Sequence, residues 1–514
     1  MLADRRPTQF PWPLVAALIV AMTLWRIGAA ALLPVTQDEA YYLDWAHHLA
    51  WGYFDHPPGV AALGLGTRLA VGSALAARLG ALLASTLTLV VLARFYFNCG
   101  LVRRDDLGLA LVLAFATVVG LAGGILITPD APLALAWALT LHESERALAG
   151  HRRRWLTAGL AAGLGLLGKY HMAMIGPILL WAMVRTDPRV LRTPWPYLGG
   201  GLAVLLFAPN LLWNLQHDWL TLRFQFGHGF ALDTGTLIAD GASPAAAAIA
   251  RWSPASLGER ALNLGEYLGI QLGLWGLLAA PLLALPFVWV RRRLARTASA
   301  GRAIADHARP LLRAAVLFPL GFFALVSLGS AVMANWPAMY LLAAPALLAP
   351  GLRGLRRWVI GAAALNLLLV SLLVWHAATA ALPLPDSANR ILRETHGFRE
   401  LAAIAKGLDL PVYADRYQLI AQLRFYQPSL PTGQWPGLAR PSEYLVGQLA
   451  PRVIPQTQAG PFWIVTQRQT LPELQGFKNT RQRTFYDCAS APLAETTVAP
   501  CADPLHEWHF YQYE

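Results

Sequence analysis

The sequence predicts a mainly α-helical polytopic membrane protein of about eleven spans, followed by a small α/β domain. Three observations carry that prediction. Apolar residues make up 56% of the 514 and charged residues only 14%, with a mean hydropathy of +0.43, which is too little charge to cover a soluble protein's surface. Apolar runs of bilayer-crossing length recur up to about residue 380. After about residue 382 they give way to short strand-like stretches.

The spans are expected at about 12–34, 76–97, 107–127, 132–149, 155–168, 172–184, 196–214, 263–290, 311–332, 336–350 and 357–380. The first run ends in "VTQDEAYY" rather than a small-residue cleavage site, so it reads as a retained anchor. With the N-terminus in the cytoplasm, twenty arginines fall in the inner loops, among them Arg103, Arg104, Arg152–Arg154, Arg291–Arg293, Arg353 and Arg356. The outer loops between spans carry only Arg68, Lys169, Arg223, Arg251 and Arg260. Such a bias sets orientation. It also explains the net charge of +12 as topology, so no nucleic-acid partner is expected. The 19 tryptophans suit interfacial anchoring.

With eleven spans the tail lies outside, giving two domains: 1–382 in the membrane, with a first outer loop at about 35–75, and 383–514 as a soluble periplasmic α/β domain. "LPVYAD" and "PFWIVTQ" read as strands and "GFRELAAIAKGLDL" as a helix. Cys488 and Cys501 both fall in this tail, where an oxidising compartment permits a disulfide. Two unpaired thiols are the alternative. "RRRLARTASAGRAIADHARP" reads as a basic inner loop near anionic headgroups. "LIADGASPAAAAIARWSPAS" reads as an outer lid or a disordered loop.

The first outer loop, "LLPVTQDEAYYLDWAHHLAWGYFDHPPGVA", concentrates titratable groups against the lipid boundary. Asp130 in "ITPDAPL", Lys169 and His171 in "LGKYHMAM", and "NLLWNLQHDWLTLRFQFGHGF" fall on the same side. Ionisable groups at that depth are functional candidates by default. A carboxylate such as Asp38 can act as general base. Lys169, His171 and His56 suit a phosphate. Glu39, Tyr42 and Asp55 complete a substrate-binding set, with aromatic faces for sugar rings or headgroups. Taken singly, each has an ordinary explanation: a solvated helix start at Asp38-Glu39, a Pro-Asp turn at Asp130, a snorkelling anchor at Lys169. Asp55 and His56 are a weak metal pair, and a divalent metal is possible but not required. Together the groups suit transfer of a sugar from a lipid-phosphate carrier.

These motifs resemble bacterial glycosyltransferase family 39 and its relatives, the protein O-mannosyltransferases and the lipid A aminoarabinose transferases. The resemblance continues in "LITPDAPLALAWAL", "LLGKYHM", "FAPNLLWNLQHDWLTLRFQF", "ANWPAMYL" and "DRYQLIAQLRFY". It implies a GT-C fold and an inverting transfer from a polyprenyl-phosphate sugar to an envelope acceptor: lipid A or core saccharide, glycan or protein. It also implies the bacterial inner membrane, with reaction at its outer face, and no cofactor. By the same resemblance Asp38 matches the catalytic base and Asp130 the second-loop acid. His56 stands where the aminoarabinose transferases carry a lysine. The competing class is a membrane transporter or lipid flippase. Carboxylates in a loop rather than mid-membrane, and the absence of an internal repeat, weigh against it.

Overall fold

The computed structural model describes residues 9–230, 256–294, 304–385, 389–447, 449, 460–489 and 491–514. The Ala-rich stretch 237–255 and part of the basic loop, 295–303, lie outside the described residues. The chain divides into two compact units. One comprises Met1–Ile27, Ala81–Trp213 and Trp252–Val370; the other comprises Gly28–Gly80, Asn214–Arg251 and Ser371–Glu514. The sequence alone suggested a single boundary near residue 382. The division instead groups the loop after the first span with the C-terminal residues.

The first unit is helical. Its core gathers Phe95, Tyr96, Leu111, Trp137, Leu141, Ile178, Leu311 and Tyr340. The helices Asp130–Leu148 and Arg154–Gly168 pack along each other. The second of these is rich in Gly and Ala because it meets another backbone: a Cβ on Gly159 would lie 2.0 Å from the Gly199 carbonyl oxygen. Small residues at helix crossings are how membrane helices approach closely.

The chain is a multi-span membrane protein. Among the described residues six helices are long and apolar enough to cross a bilayer: Trp12–Leu32, Leu79–Asn98, Trp195–Gln216, Leu257–Phe287, Arg309–Ser327 and Ala344–Thr379. Their outward side chains are apolar too, among them Leu83, Leu205, Leu317 and Leu325, as lipid requires. Several of the expected eleven take other forms. The run at 107–127 breaks into Arg104–Phe115 and Val118–Ala122, because the Thr117 hydroxyl caps the Gly120 N–H and starts a new helix. The run at 336–350 is a 3-10 turn, Ala338–Leu342, followed by a helix from Ala344. Between the helices Arg154–Gly168 and Ile175–Thr186, Lys169 is extended.

The second unit contains a six-stranded mixed sheet in the order β2-β1-β3-β6-β4-β5. The strands are β1 Val412–Ala414, β2 Thr432–Gln434, β3 Phe462–Thr466, β4 Asn479–Cys488, β5 Ala491–Glu495 and β6 His506–Tyr513. β1 pairs in parallel with both β2 and β3, and the rest is antiparallel. The helix Tyr417–Tyr426 links β1 to β2 and packs against the loop helix Gln37–Trp45. Gln422 Nε2 donates to the Val35 carbonyl at 2.9 Å, joining the loop to this helix.

A disulfide joins Cys488, at the end of β4, to Cys501, a separation of 13 residues that encloses β5. Closing a loop of this size is worth about 3 kcal/mol, chiefly through the unfolded chain. Replacing both cysteines with Ser is expected to lower thermal stability while leaving the Asp38 region intact. Differential protease sensitivity of residues 479–505 checks this; equal sensitivity would contradict it.

Candidate functional site

The loop helix Gln37–Trp45 positions the candidate chemistry. Its N-cap is Thr36, whose hydroxyl accepts from the Glu39 N–H (3.4 Å), while the Glu39 carboxylate accepts from the Thr36 N–H (3.1 Å). This capping box satisfies two helix-start donors. Glu39 also pairs with Arg78, at 2.9 Å to Nε and 2.6 Å to Nη2. Both side chains are 1% exposed or less. The remaining Arg78 donors reach the carbonyls of Ala30, Leu33 and Pro34. Glu39, expected to bind substrate, is therefore turned inward to hold the start of the helix.

Asp38, the next residue back, points the other way; part of its surface meets solvent, while protein atoms crowd the carboxylate on its other sides. Its Oδ1 accepts from the Tyr417 hydroxyl at 3.2 Å. Among the described residues Oδ2 accepts no hydrogen bond. Burial by the surrounding protein pushes its pKa up; the Tyr417 bond opposes this, the Asp55 charge adds to it and Arg440 opposes it. The carboxylate is thus reached by water yet more basic than an ordinary aspartate, as a general base requires. Glu394 lies close enough for the Asp38 charge to act on it. Burial first, and then Asp38, raise the Glu394 pKa against Arg390 and His506.

Beside Asp38 runs a buried network. Tyr41 donates its hydroxyl to Asp55 Oδ2 (2.8 Å) and accepts from the Glu443 N–H (2.8 Å). Glu443 in turn accepts from the Phe54 N–H at 2.7 Å. Arg440 pairs with Asp55 Oδ1 at 3.0 Å. Its guanidinium lies over the rings of Tyr417 (4.4 Å) and Phe224 (5.1 Å). Gln434 pins the Arg440 loop by donating to the Arg440 carbonyl (2.8 Å) and accepting from the Ser442 hydroxyl. Tyr42 shares the Asp38 face of the helix, its ring 5.9 Å from and edge-on to His56. His56 Nδ1 also meets Gln225 Nε2. The two Asp55 oxygens are engaged by Tyr41 and Arg440. Among the described residues no three His, Cys, Asp or Glu side chains are grouped as a metal ion would need.

Asp130, Lys169 and His171 belong to the helical unit. Asp130 begins the helix Asp130–Leu148, where a carboxylate favours the helix dipole. Its Oδ1 pairs with Lys169 Nζ at 2.8 Å, and its Oδ2 accepts from Asn335 Nδ2 at 2.6 Å. Lys169 is buried. The His171 ring packs on Phe323, stacked at 5.8 Å, and near Trp336 at 6.0 Å. Asp130 and Lys169 are thus brought together, with His171 held among aromatic rings.

Sequence reasoning missed Arg440, Tyr417, Glu443, Glu394, Arg78 and Asn335. Tyr417 and Asn335 do lie in stretches that resemble the family, but without an expected role. Arg78 was absorbed into the second span. Arg440 sits in a loop, "WPGLARPSEYL", with no periodic signal.

Comparison with known proteins places this geometry in context. Residues 55–213 match the family described as dolichyl-phosphate-mannose-protein mannosyltransferase. That range includes Asp55, His56, Asp130, Lys169 and His171, but not Asp38. A curated relative, the lipid A galacturonosyltransferase RgtD of Rhizobium johnstonii, is 26% identical over 216 residues. The aligned part spans 40% of this chain and 44% of that relative. Among solved structures, ArnT from Cupriavidus metallidurans bound to undecaprenyl phosphate superposes with a TM-score of 0.60 at 15% identity, covering 96% of this chain and 97% of that one. The likeness shows the GT-C fold, and the resemblance read from the motifs is borne out.

Proposed function

We propose that this chain is an inverting glycosyltransferase that moves a sugar from a polyprenyl-phosphate donor to an envelope acceptor. The observation that carries the reading is Asp38: a solvent-reached carboxylate of raised basicity, held by a capped helix within a Tyr, Arg and carboxylate network. The match to a sugar-phosphate-lipid transferase family and to a lipid A glycosyltransferase supports it. A lipid-linked acceptor is favoured over protein because that relative acts on lipid A.

In the proposed step the Asp38 carboxylate takes the proton of an acceptor hydroxyl as its oxygen bonds to the anomeric carbon. The bond from that carbon to the phosphate oxygen breaks, and polyprenyl phosphate leaves with the electron pair. A phosphate is already a good leaving group, so the step is written without a metal. Stabilising the charge that develops on it is commonly the larger share of such catalysis. Tyr417 orients Asp38 through its hydrogen bond, and the Arg440 charge tempers that of Asp38. Asp55, bound on both oxygens, serves to position Arg440. Asp130 is proposed as a second catalytic carboxylate and Lys169 as a phosphate ligand. We further propose eleven spans, a cytoplasmic N-terminus and a periplasmic C-terminal domain, which places Asp38 on the side of lipid-linked rather than nucleotide-linked sugars.

Incubating the purified protein with labelled polyprenyl-phosphate sugars and envelope lipids tests the reading. Labelled acceptor is the expected product. Movement of the sugar lipid across a vesicle without bond cleavage would make the protein a transporter instead.

The raised pKa gives a pH signature. A base works when deprotonated, so activity is present above the Asp38 pKa and is lost as pH falls through it. The acid limb of kcat/KM is expected above the ordinary aspartate value of about 3.9. A profile flat down to roughly that pH would remove Asp38 from the proton transfer.

A further inference from the structure

The loop helix has two faces, and the proposed reaction uses one. Asp38, Tyr41, Tyr42 and Trp45 recur at helical spacing on the first. Ala40, Leu43, Asp44 and His47 recur at the same spacing on the opposite side. That second face lines a cavity of about 240 Å³, together with His48, Val71 and Arg424.

We propose that this cavity binds the phosphate headgroup of an anionic membrane phospholipid. The first argument is charge. Arg424 Nε pairs with Asp44 Oδ2 at 3.0 Å, and the same oxygen accepts from the Tyr444 hydroxyl at 2.9 Å. The carboxylate in the cavity is therefore already neutralised. Arg68 is exposed, anchored by its Nε to the Ala46 carbonyl at 2.8 Å. Its charge and that of Arg424 both reach His47. Two guanidinium groups thus stand near one paired carboxylate, so their excess is cationic, while the exposed imidazoles of His47 and His48 add hydrogen-bonding groups, His47 being held toward its neutral form chiefly by burial. Arginine forks suit phosphate oxygens.

The second argument is the exposed apolar surface of the same loop, of which Val71 lines the cavity. Leu49, Trp51, Leu65, Leu69 and Val71 are all exposed, Leu69 and Val71 by 75% and 69%. Val71 lies just before the bilayer-length helix Leu79–Asn98. Exposed leucines and a tryptophan beside basic groups, next to the start of a span, are the composition of a lipid–water boundary. The third argument is size. The cavity is smaller than the roughly 300–1,000 Å³ of sites for drug-sized ligands. It accommodates a headgroup, with the acyl chains left along that apolar surface. This site does not depend on the proposed transfer reaction.

Native mass spectrometry of the full-length protein tests it, with dioleoylphosphatidylglycerol, dioleoylphosphatidylcholine and inorganic phosphate as probes. The wild type is expected to retain phosphatidylglycerol at least about five-fold over phosphatidylcholine. The double variant His47→Ala/His48→Ala and the variant Arg68→Gln should each lose one bound phosphatidylglycerol. Val71→Asp, which removes apolar surface and leaves the cations, should do the same. Circular dichroism confirms that the variants remain folded. Equal retention of both lipids, or unchanged phosphatidylglycerol binding in all three variants, would overturn the proposal. Displacement of phosphatidylglycerol by equimolar inorganic phosphate would also overturn it, assigning the cavity to a free anion.

Discussion

Replacing Asp38 with Asn is expected to lower kcat for sugar transfer by about 10²–10⁴-fold, the range over which a positioned general base contributes. The amide keeps the shape and can still accept from the Tyr417 hydroxyl, so the helix and its cap should persist. KM for the donor should change little, because the lost interaction belongs to the proton transfer rather than to binding. Glu39→Gln separates the two adjacent acids. It should cost stability through Arg78 and the capping box, with a smaller effect on kcat in the folded fraction. If Asp38→Asn retained wild-type kcat while Glu39→Gln abolished it, the assignment of the two residues would be reversed.

Replacing Arg78 with Ala is expected to destabilise the loop-and-sheet unit by about 3–5 kcal/mol, the usual cost of stranding one partner of a buried ion pair. For a unit of this size that corresponds to a fall in Tm of roughly 10 °C. Arg78 carries the Glu39 charge and also three backbone carbonyls at the end of the first span. Its loss therefore frees both the span end and the helix that presents Asp38. The double variant Arg78→Met/Glu39→Met tests the cause. Removing both charges should recover part of the lost stability, since an apolar replacement of a buried pair is often neutral or better. A double variant as unstable as Arg78→Ala would place the loss in the carbonyl contacts alone.

The parts of this molecule that follow from local pattern were legible. Hydropathy located the helices, and "LPVYAD" and "PFWIVTQ" announced β1 and β3 through their apolar, β-branched runs. Asp38 stood out as a candidate because two acids follow shortly after an apolar run. That Asp38 faces solvent while Glu39 faces Arg78 follows from helical phase together with a capping box, "TQDE", which the sequence reading did not use. The break at Thr117 was hidden because the flanking residues are apolar on both sides. Arg440 and Tyr417 were out of reach for a different reason. They meet Asp55 and Asp38 across 385 and 379 residues, and only the folded loop-and-sheet unit brings them together. A pairing of that range leaves no periodicity in a single sequence. The inward turn of Asp55, bound on both oxygens, was hidden in the same way.

The stereochemistry of the product reports most directly on a single displacement at the anomeric carbon driven by Asp38. The purified protein would be given a polyprenyl-phosphate sugar of known anomeric configuration, and the configuration of the transferred sugar read by NMR. Inversion is the expected result. Retention would require a second displacement through a covalent intermediate and would contradict it.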